Sequence, residues 1–200
     1  MKLFGTCIIL AGGKSSRMGF DKQFLKVDKR RLMYSIIQKL EDEFDEIIIV
    51  TNKPQHYIGL SQKITMDILK EKGPLGGIHA GLKLAKSQYS FVIACDMPNI
   101  NLEYMRYMRL NTSAMGCTTR FGNWIEPFGS FYSKEIVPDI ESYLKTEKRS
   151  INHLLMDLDI NYIEEKKARE FSPNWDMFLN LNTQDDLENF LNNTQRESCS

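Results

Sequence analysis

Lys14, Arg17 and Lys22 follow directly on the pair Gly12-Gly13, which itself follows the apolar run Thr6-Cys7-Ile8-Ile9-Leu10. Glycines lack a Cβ, so the backbone can take positive φ and bring its N–H groups close to phosphate oxygens, while the cations neutralise them. The stretch Leu10-Ala11-Gly12-Gly13-Lys14-Ser15-Ser16-Arg17-Met18-Gly19-Phe20-Asp21-Lys22 is therefore built to hold a triphosphate. Arg17 can fork onto phosphate oxygens and Lys22 can act as a point charge. A carboxylate, Asp96, ends a second apolar run, Phe91-Val92-Ile93-Ala94, where it can reach a phosphate-bound Mg²⁺ that keeps most of its waters.

Two common phosphate motifs do not fit. A P-loop needs a glycine five residues before Gly13, where this chain has Ile8, and Gly12, Gly13 and Gly19 do not spell G-x-G-x-x-G. Asp67 precedes a turn, Gly73-Pro74-Leu75-Gly76-Gly77, whose glycines admit close approach before a helix opens. A carboxylate at Asp67 can accept from a guanine edge or from a ribose hydroxyl.

The segment 10–22 resembles the signature L-A-G-G-x-S-x-R-M-G-x-D-K of the nucleotidyltransferase family that includes molybdenum cofactor guanylyltransferases. Gly73 to Ile78 is similar to that family's G-P-L-A-G-I, Ala94-Cys95-Asp96-Met97-Pro98 to its C-D-x-P, and Asn180-Leu181-Asn182-Thr183 to its N-x-N-T-P, with Gln184 in place of the proline. The resemblance runs from residue 7 to about 190, nearly the whole chain. It implies transfer of GMP from GTP to molybdopterin, or to its molybdenum-loaded form, with release of pyrophosphate and with Mg²⁺ as cofactor.

The same resemblance assigns roles. Arg17, Lys22 and Asp96 are implied as catalytic and Asp96 as the metal ligand. Leu10, Ala11, Gly12, Gly13, Lys22, Asp67, Gly76 and Asp96 are implied to contact the nucleotide, and Asn180 and Asn182 the pterin. The second glycine of Leu10-Ala11-Gly12-Gly13 favours guanine, since related cytidylyltransferases commonly carry L-A-A-G. Glu126-Pro127 resembles an E-P or H-P pair on the acceptor side, although a surface carboxylate is an equal reading. Trp124 and Trp175 are read as packing residues, with stacking on a pterin the alternative. The rival functions are transfer to another acceptor by the same fold, from CTP to molybdopterin or to a sugar phosphate, and a carrier without catalysis. Molybdoenzymes or other cofactor-biosynthesis proteins are possible protein partners.

These residues need a sheet to position them. Short apolar strands at Thr6–Leu10, Ile47–Thr51, Lys63–Met66 and Phe91–Ala94 alternate with amphipathic helical patterns such as Met33, Ile36, Ile37 and Leu40. Right-handed crossovers then give a parallel sheet with helices on both faces. Strands at Ala114–Thr119 and Phe128–Tyr132 and helices at Lys134–Leu144 and Ile151–Leu158 extend it, with one antiparallel edge expected. The expected fold is a single three-layer α/β/α domain of the nucleotide-diphospho-sugar transferase type over residues 1–191. A polar tail, residues 192–200, is expected to be disordered.

Two hundred residues, 42% of them hydrophobic, suffice for one sizeable core. A formal net charge of zero removes any general electrostatic footprint for nucleic acid or an anionic membrane. No apolar run long enough to span a bilayer and no signal peptide is evident, so a cytoplasmic protein is expected. Cys7, Cys95, Cys117 and Cys199 form no C-x-x-C pair, and His56, His79 and His153 lack metal-ligand spacing. Packing thiols and structural or solvent-facing histidines are expected. Glu164 to Arg169 reads as a solvated charged face.

Overall fold

The computed structural model describes residues 2–11, 24–146 and 148–181 together with Asp186 and Phe190, with only the backbone path given for 24–31. Gly12, Gly13, Lys14, Arg17, Lys22, Asn182, Cys199 and the tail 192–200 lie outside the described residues.

The chain runs β1 (Phe4–Leu10), α1 (Phe24–Leu40), β2 (Phe44–Val50), β3 (Lys63–Thr65), α2 (Pro74–Leu84), β4 (Tyr89–Ala94) and α3 (Leu102–Leu110). It continues through β5 (Gly116–Phe121), β6 (Trp124–Ser133), α4 (Val137–Lys145), α5 (Ile151–Met156), β7 (Ile160–Glu164) and α6 (Glu165–Phe171). The seven strands form one sheet in the order β3-β2-β1-β4-β6-β5-β7. β1 pairs in parallel with β2 and β4, and β2 with β3. β6 is antiparallel to β4 and β5, and β7 is parallel to β5.

Side-chain alternation along β1 explains the three layers. Cys7 and Ile9 face one core with Met33, Ile36, Leu40, Phe44, Phe91 and Phe131, while Ile8 and Leu10 face another with Leu75, Ile78, Leu82 and Ile140. Each β1 side chain is thus buried whichever way it points, which is why the strand reads as continuously apolar. The expected helical stripe Met33, Ile36, Ile37 and Leu40 is buried throughout.

The mostly parallel α/β/α sheet matches the sequence expectation, with two differences. The antiparallel strand is not at the edge: β5 and β7 lie beyond β6, because the hairpin at Gly122 returns the chain and a crossover then adds β7. β7 itself had no strong sequence signal, since its five residues alternate only partly between buried and exposed. The charged run after it forms α6, paired internally by Arg169–Glu165 and Lys167–Glu170 and pinned by the fully buried Ala168.

Close packing between α2 and β1 sets the height of the helix over the sheet. A Cβ on Gly81 would stand 2.5 Å from Cγ2 of Ile8, a stiff β-branched side chain with no room to yield. Gly81→Ala is expected to cost about 1–3 kcal/mol from overpacking, more than the ~1 kcal/mol that alanine gains in a helix. In an Ile8→Ala background, itself costing about 2–5 kcal/mol, the same change should become neutral or stabilising. Urea unfolding of the two single variants and the double variant checks this; simple additivity would refute the close contact.

Candidate active site at the carboxyl edge of the sheet

The parallel strands deliver their carboxyl ends to one edge, and backbone hydrogen bonds continue past the last strand residues to hold those ends together. Ala11 N–H donates to Val50 C=O at 2.8 Å, and Cys95 N–H to Leu10 C=O at 3.0 Å. Thr51 N–H donates to Thr65 C=O at 2.9 Å, while its hydroxyl donates to Ala11 C=O at 3.3 Å. Leu10 and Ala11 therefore enter the glycine-rich segment from between β2 and β4. Strand order reverses direction about β1, so this is the topological switch point where an open α/β sheet binds its ligand.

Asp67 lies just beyond β3 and is half-buried. Asn52, beyond the end of β2, donates from Nδ2 to Asp67 Oδ2 at 2.7 Å and accepts the Asp67 N–H at 3.3 Å. That two-point clamp fixes a carboxylate that would otherwise rotate freely, and sequence reasoning missed it. The only signal was an amide placed at a strand's carboxyl end. The expected turn is present: Gly76 N–H donates to Gly73 C=O at 3.1 Å, and Pro74 opens α2 with no acidic residue in its first turn. A Cβ on Gly76 would lie 2.8 Å from the Leu69 carbonyl oxygen, and one on Gly77 would lie 3.1 Å from Leu10 Cδ2 and 3.7 Å from Asp67 Oδ1. Leu10, Asp67 and Gly76 are thus brought together, as the sequence suggested, beside the positive end of a helix.

Asp96 sits two residues past β4 in a turn and is partly buried. It does not cap α3; Asn101 does, accepting the Tyr104 N–H at 2.9 Å. The Asp96 carbonyl accepts the Leu181 N–H at 2.8 Å, which carries the exposed Asn180 to the same edge. Two of the sequence motifs, 85 residues apart, therefore meet at one backbone hydrogen bond.

The register between β4 and β6 adds a second carboxylate. β6 pairs antiparallel with β4 from Tyr89–Ser133 to Val92–Ser130, so its opening residues, Glu126 among them, run toward the edge where β4 ends and Asp96 lies. Glu126 is only 9% exposed. Burial pushes its carboxyl up to about 7, an effect opposed by hydrogen bonds from the Phe128 N–H and the Trp124 side chain and reinforced by the Asp96 charge. The two tryptophans differ. Trp175 packs on Phe121 and Phe178 beneath the Arg169 guanidinium, whereas Trp124, at the start of β6, is 52% exposed and does not fulfil a packing role.

The remaining candidates behave as expected. Cys7 and Cys117 are buried free thiols; desolvation raises both, Cys117 up to about 12, and neither is a nucleophile. His79 is buried between α2 and α4, its Nε2 2.8 Å from Glu141 Oε1. Among the described residues no group of three or more His, Cys, Asp and Glu side chains is arranged to hold a metal, and no helix is long and apolar enough to cross a membrane. A hard cation held mainly by phosphates and water needs only one or two carboxylates, and Asp96, whose charge reaches the buried Glu126, supplies that oxygen chemistry.

A switch-point edge that carries Asp67, Asp96 and a glycine turn is the arrangement by which an open α/β sheet receives a ligand. Residues 7–160 match the MobA-like NTP transferase domain, and the chain belongs to that family of nucleotidyltransferases. A probable molybdenum cofactor guanylyltransferase of Peptoclostridium acidaminophilum is 50% identical over 98% of this chain and 92% of that protein. A molybdenum cofactor guanylyltransferase of Syntrophotalea carbinolica is 52% identical over 92% of this chain and 90% of that one. Among solved structures, molybdopterin-guanine dinucleotide biosynthesis protein A of Archaeoglobus fulgidus shares the fold, with a TM-score of 0.72 at 22% identity over 92% of this chain and 95% of its own. A protein of Aquifex aeolicus aligns at a TM-score of 0.75 and 26% identity, covering 90% of this chain and 94% of its own.

Glu126 makes stability pH-dependent in the absence of divalent cations. Its folded value of about 7 lies above the ordinary 4.5, so between those values the folded protein keeps a proton that the unfolded chain has released. Stability should therefore fall as pH rises through that interval, by up to about 3 kcal/mol, and level off above it. Urea midpoints measured from roughly pH 5 to pH 8 should show this slope in the wild type and a flatter one in Glu126→Gln. Equal slopes would mean that another group is responsible.

Proposed function

We propose that the protein transfers GMP from GTP to the terminal phosphate of molybdopterin, or of its molybdenum-loaded form, releasing pyrophosphate. The observation that carries this reading is the hydrogen bond from the Leu181 N–H to the Asp96 backbone carbonyl, which brings the segment bearing Asn180 beside the residue we assign to the nucleotide. The names borne by relatives at 50% and 52% identity supply the chemical identity of donor and acceptor.

An acceptor phosphate oxygen attacks the α-phosphorus, a new P–O bond forms and the bond to the pyrophosphate oxygen breaks. Such a reaction is accelerated chiefly by positioning and by neutralising charge on the leaving oxygens. Asp96 would hold Mg²⁺, with Glu126 near enough to contribute; when bound, the ion supplies Lewis-acid neutralisation of phosphate oxygens. We assign Arg17 to the phosphates that depart and Lys22 to the α-phosphate, while the backbone of Leu10 to Gly13 cradles the triphosphate. Asp67, clamped by Asn52, accepts from the base or ribose, and Gly76 lets the nucleotide approach the turn before α2. We assign Asn180 and Asn182 to the pterin, since an amide offers both donors and an acceptor to a heterocycle edge. The free thiols Cys7, Cys95 and Cys117 suit a reducing cytoplasmic setting.

The test is pyrophosphate release with Mg²⁺ and molybdopterin, offering GTP, CTP, ATP and UTP in parallel. GTP should be the preferred donor, and preference for CTP would overturn the assignment of the base. Asp96→Asn and Lys22→Ala should each lower kcat by about 10²-fold or more. Full turnover in either variant, with nucleotide affinity unchanged, would remove that residue from the mechanism. Tight GTP binding with no pyrophosphate from any donor would favour a carrier instead.

A further inference from the structure

We infer that Lys39, near the end of α1, is a positioning residue for the reaction: its ammonium holds the turn Asp96-Met97-Pro98 and thereby sets where the Asp96 carboxylate stands at the ligand edge. The inference rests on the assignment of Asp96 above and concerns a residue that acts through it.

The apolar stripe Met33, Ile36, Ile37 and Leu40 turns α1 against the sheet, and Lys39 lies half-buried on the flank of that stripe. A cation in the last turn of a helix ordinarily answers the negative end of that helix. Lys39 also reaches a distant segment, its Nζ donating to the Pro98 C=O at 3.1 Å across 59 positions of sequence. Pro98 is buried, so its carbonyl would be costly to leave unpaired, and a charged donor satisfies it more strongly than a neutral one. The same ammonium stands 5.7 Å from the centroid of the Phe190 ring, within cation–π range.

Three consecutive residues of the turn are each fixed by a different element. Met97 N–H returns to the Ala94 C=O at the end of β4, at 3.1 Å, and its side chain is buried in the core. Leu181 N–H donates to the Asp96 C=O at 2.8 Å. Lys39 supplies the third point, at Pro98. The Asp96 side chain therefore starts from a backbone that cannot shift without breaking one of these bonds, and such placement is what a positioned reaction requires. Because α1 begins two residues past Lys22, the helix that follows the candidate phosphate segment also steadies the carboxylate assigned to the cation.

The experiment uses the full chain as wild type, as Lys39→Met, which keeps an apolar stem, and as Lys39→Arg, which keeps a charged donor. The first readout, without nucleotide or metal, is residue-resolved amide hydrogen exchange at Met97 and Leu181, with Ile8 and Ile9 of β1 as reference. The second is equilibrium affinity for GTP, measured without divalent cation and then as Mg²⁺ is added, giving the Mg²⁺ concentration at half of the metal-dependent gain. Both are repeated for Lys39→Met in an Asp96→Asn background.

Lys39→Met should speed exchange at Met97 and Leu181 about tenfold or more, with Ile8 and Ile9 held within about twofold. It should raise the Mg²⁺ requirement about tenfold while affinity for GTP without the cation stays within about twofold, and Lys39→Arg should recover most of both losses. In the Asp96→Asn background the change at Lys39 should add less than about twofold to the Mg²⁺ requirement. Equal acceleration in β1, an unchanged Mg²⁺ requirement, no recovery in Lys39→Arg, or a full added effect without the Asp96 carboxylate would overturn the inference. The expected pattern in a protein that releases no pyrophosphate from any donor would uphold the role of Lys39 and overturn the transfer reading instead.

Discussion

The antiparallel pairing of β4 with β6 is the constraint on which the site depends. In a purely parallel sheet every strand sends its carboxyl end to the ligand edge, and each contributes only the residues just past that end. A strand running the other way contributes its opening residues. The pairing from Tyr89–Ser133 to Val92–Ser130 thus carries Glu126 toward the edge that holds Asp96, although the two lie thirty residues apart in sequence. The same reversal leaves the β5–β6 hairpin and Trp124 at that edge. One change of strand direction therefore converts a nucleotide cleft into a cleft with two sides.

The two sides are built by different means. On the nucleotide side, close packing of backbone does most of the positioning: Gly76 fits beneath the Leu69 carbonyl, Gly77 lies against Leu10, and Gly81 meets Ile8. The last two contacts fix the height of α2 over β1, and the first holds the helix N-terminus against the loop that follows Asp67. On the other side, hydrogen-bonding side chains take over. Thr118 and Ser130 hydroxyls donate to the Glu126 carbonyl, the latter at 3.1 Å, and Tyr132 donates to the Pro127 carbonyl at 2.7 Å. Buried hydroxyls thus satisfy the backbone carbonyls of Glu126 and Pro127 near the reacting edge, where unpaired polar groups would be costly.

Much of this site is legible in the residue order alone. The candidate phosphate-binding segment 10–22, most of which lies outside the described residues, Asp67, the turn at Gly76 and Asp96 are local patterns, each a strand end with a short polar or glycine signature after it. Parallel sheets print such patterns directly, because every ligand residue comes just after its strand. The position of β6 was not legible, since the direction of a strand and its place in the sheet depend on pairings distant in sequence. For that reason Glu126 was indistinguishable from a surface carboxylate, and Trp124 from a core aromatic. Asn52 escaped notice because a lone amide carries no pattern until its partner, fifteen residues on, is seen beside it. β7 was missed because neither its length nor its alternation rises above that of a loop.

Asp96 and Glu126 show how environment divides labour between two carboxyl groups. Asp96 lies in a turn, only partly buried, with its backbone carbonyl committed to Leu181. Glu126 is buried in the strand opposite, where desolvation favours its neutral form and the Asp96 charge reinforces that preference. A cation arriving with a triphosphate would lower the cost of charge on both groups, since it favours the ionised forms. Before it arrives, Glu126 can keep a proton near neutrality and spare the cleft one of two like charges. The chain as a whole carries no net charge, so attraction of an anionic substrate depends on local groups rather than on a general field. Relief of repulsion at this pair is one such local contribution, and it depends on the direction in which β6 runs beside β4.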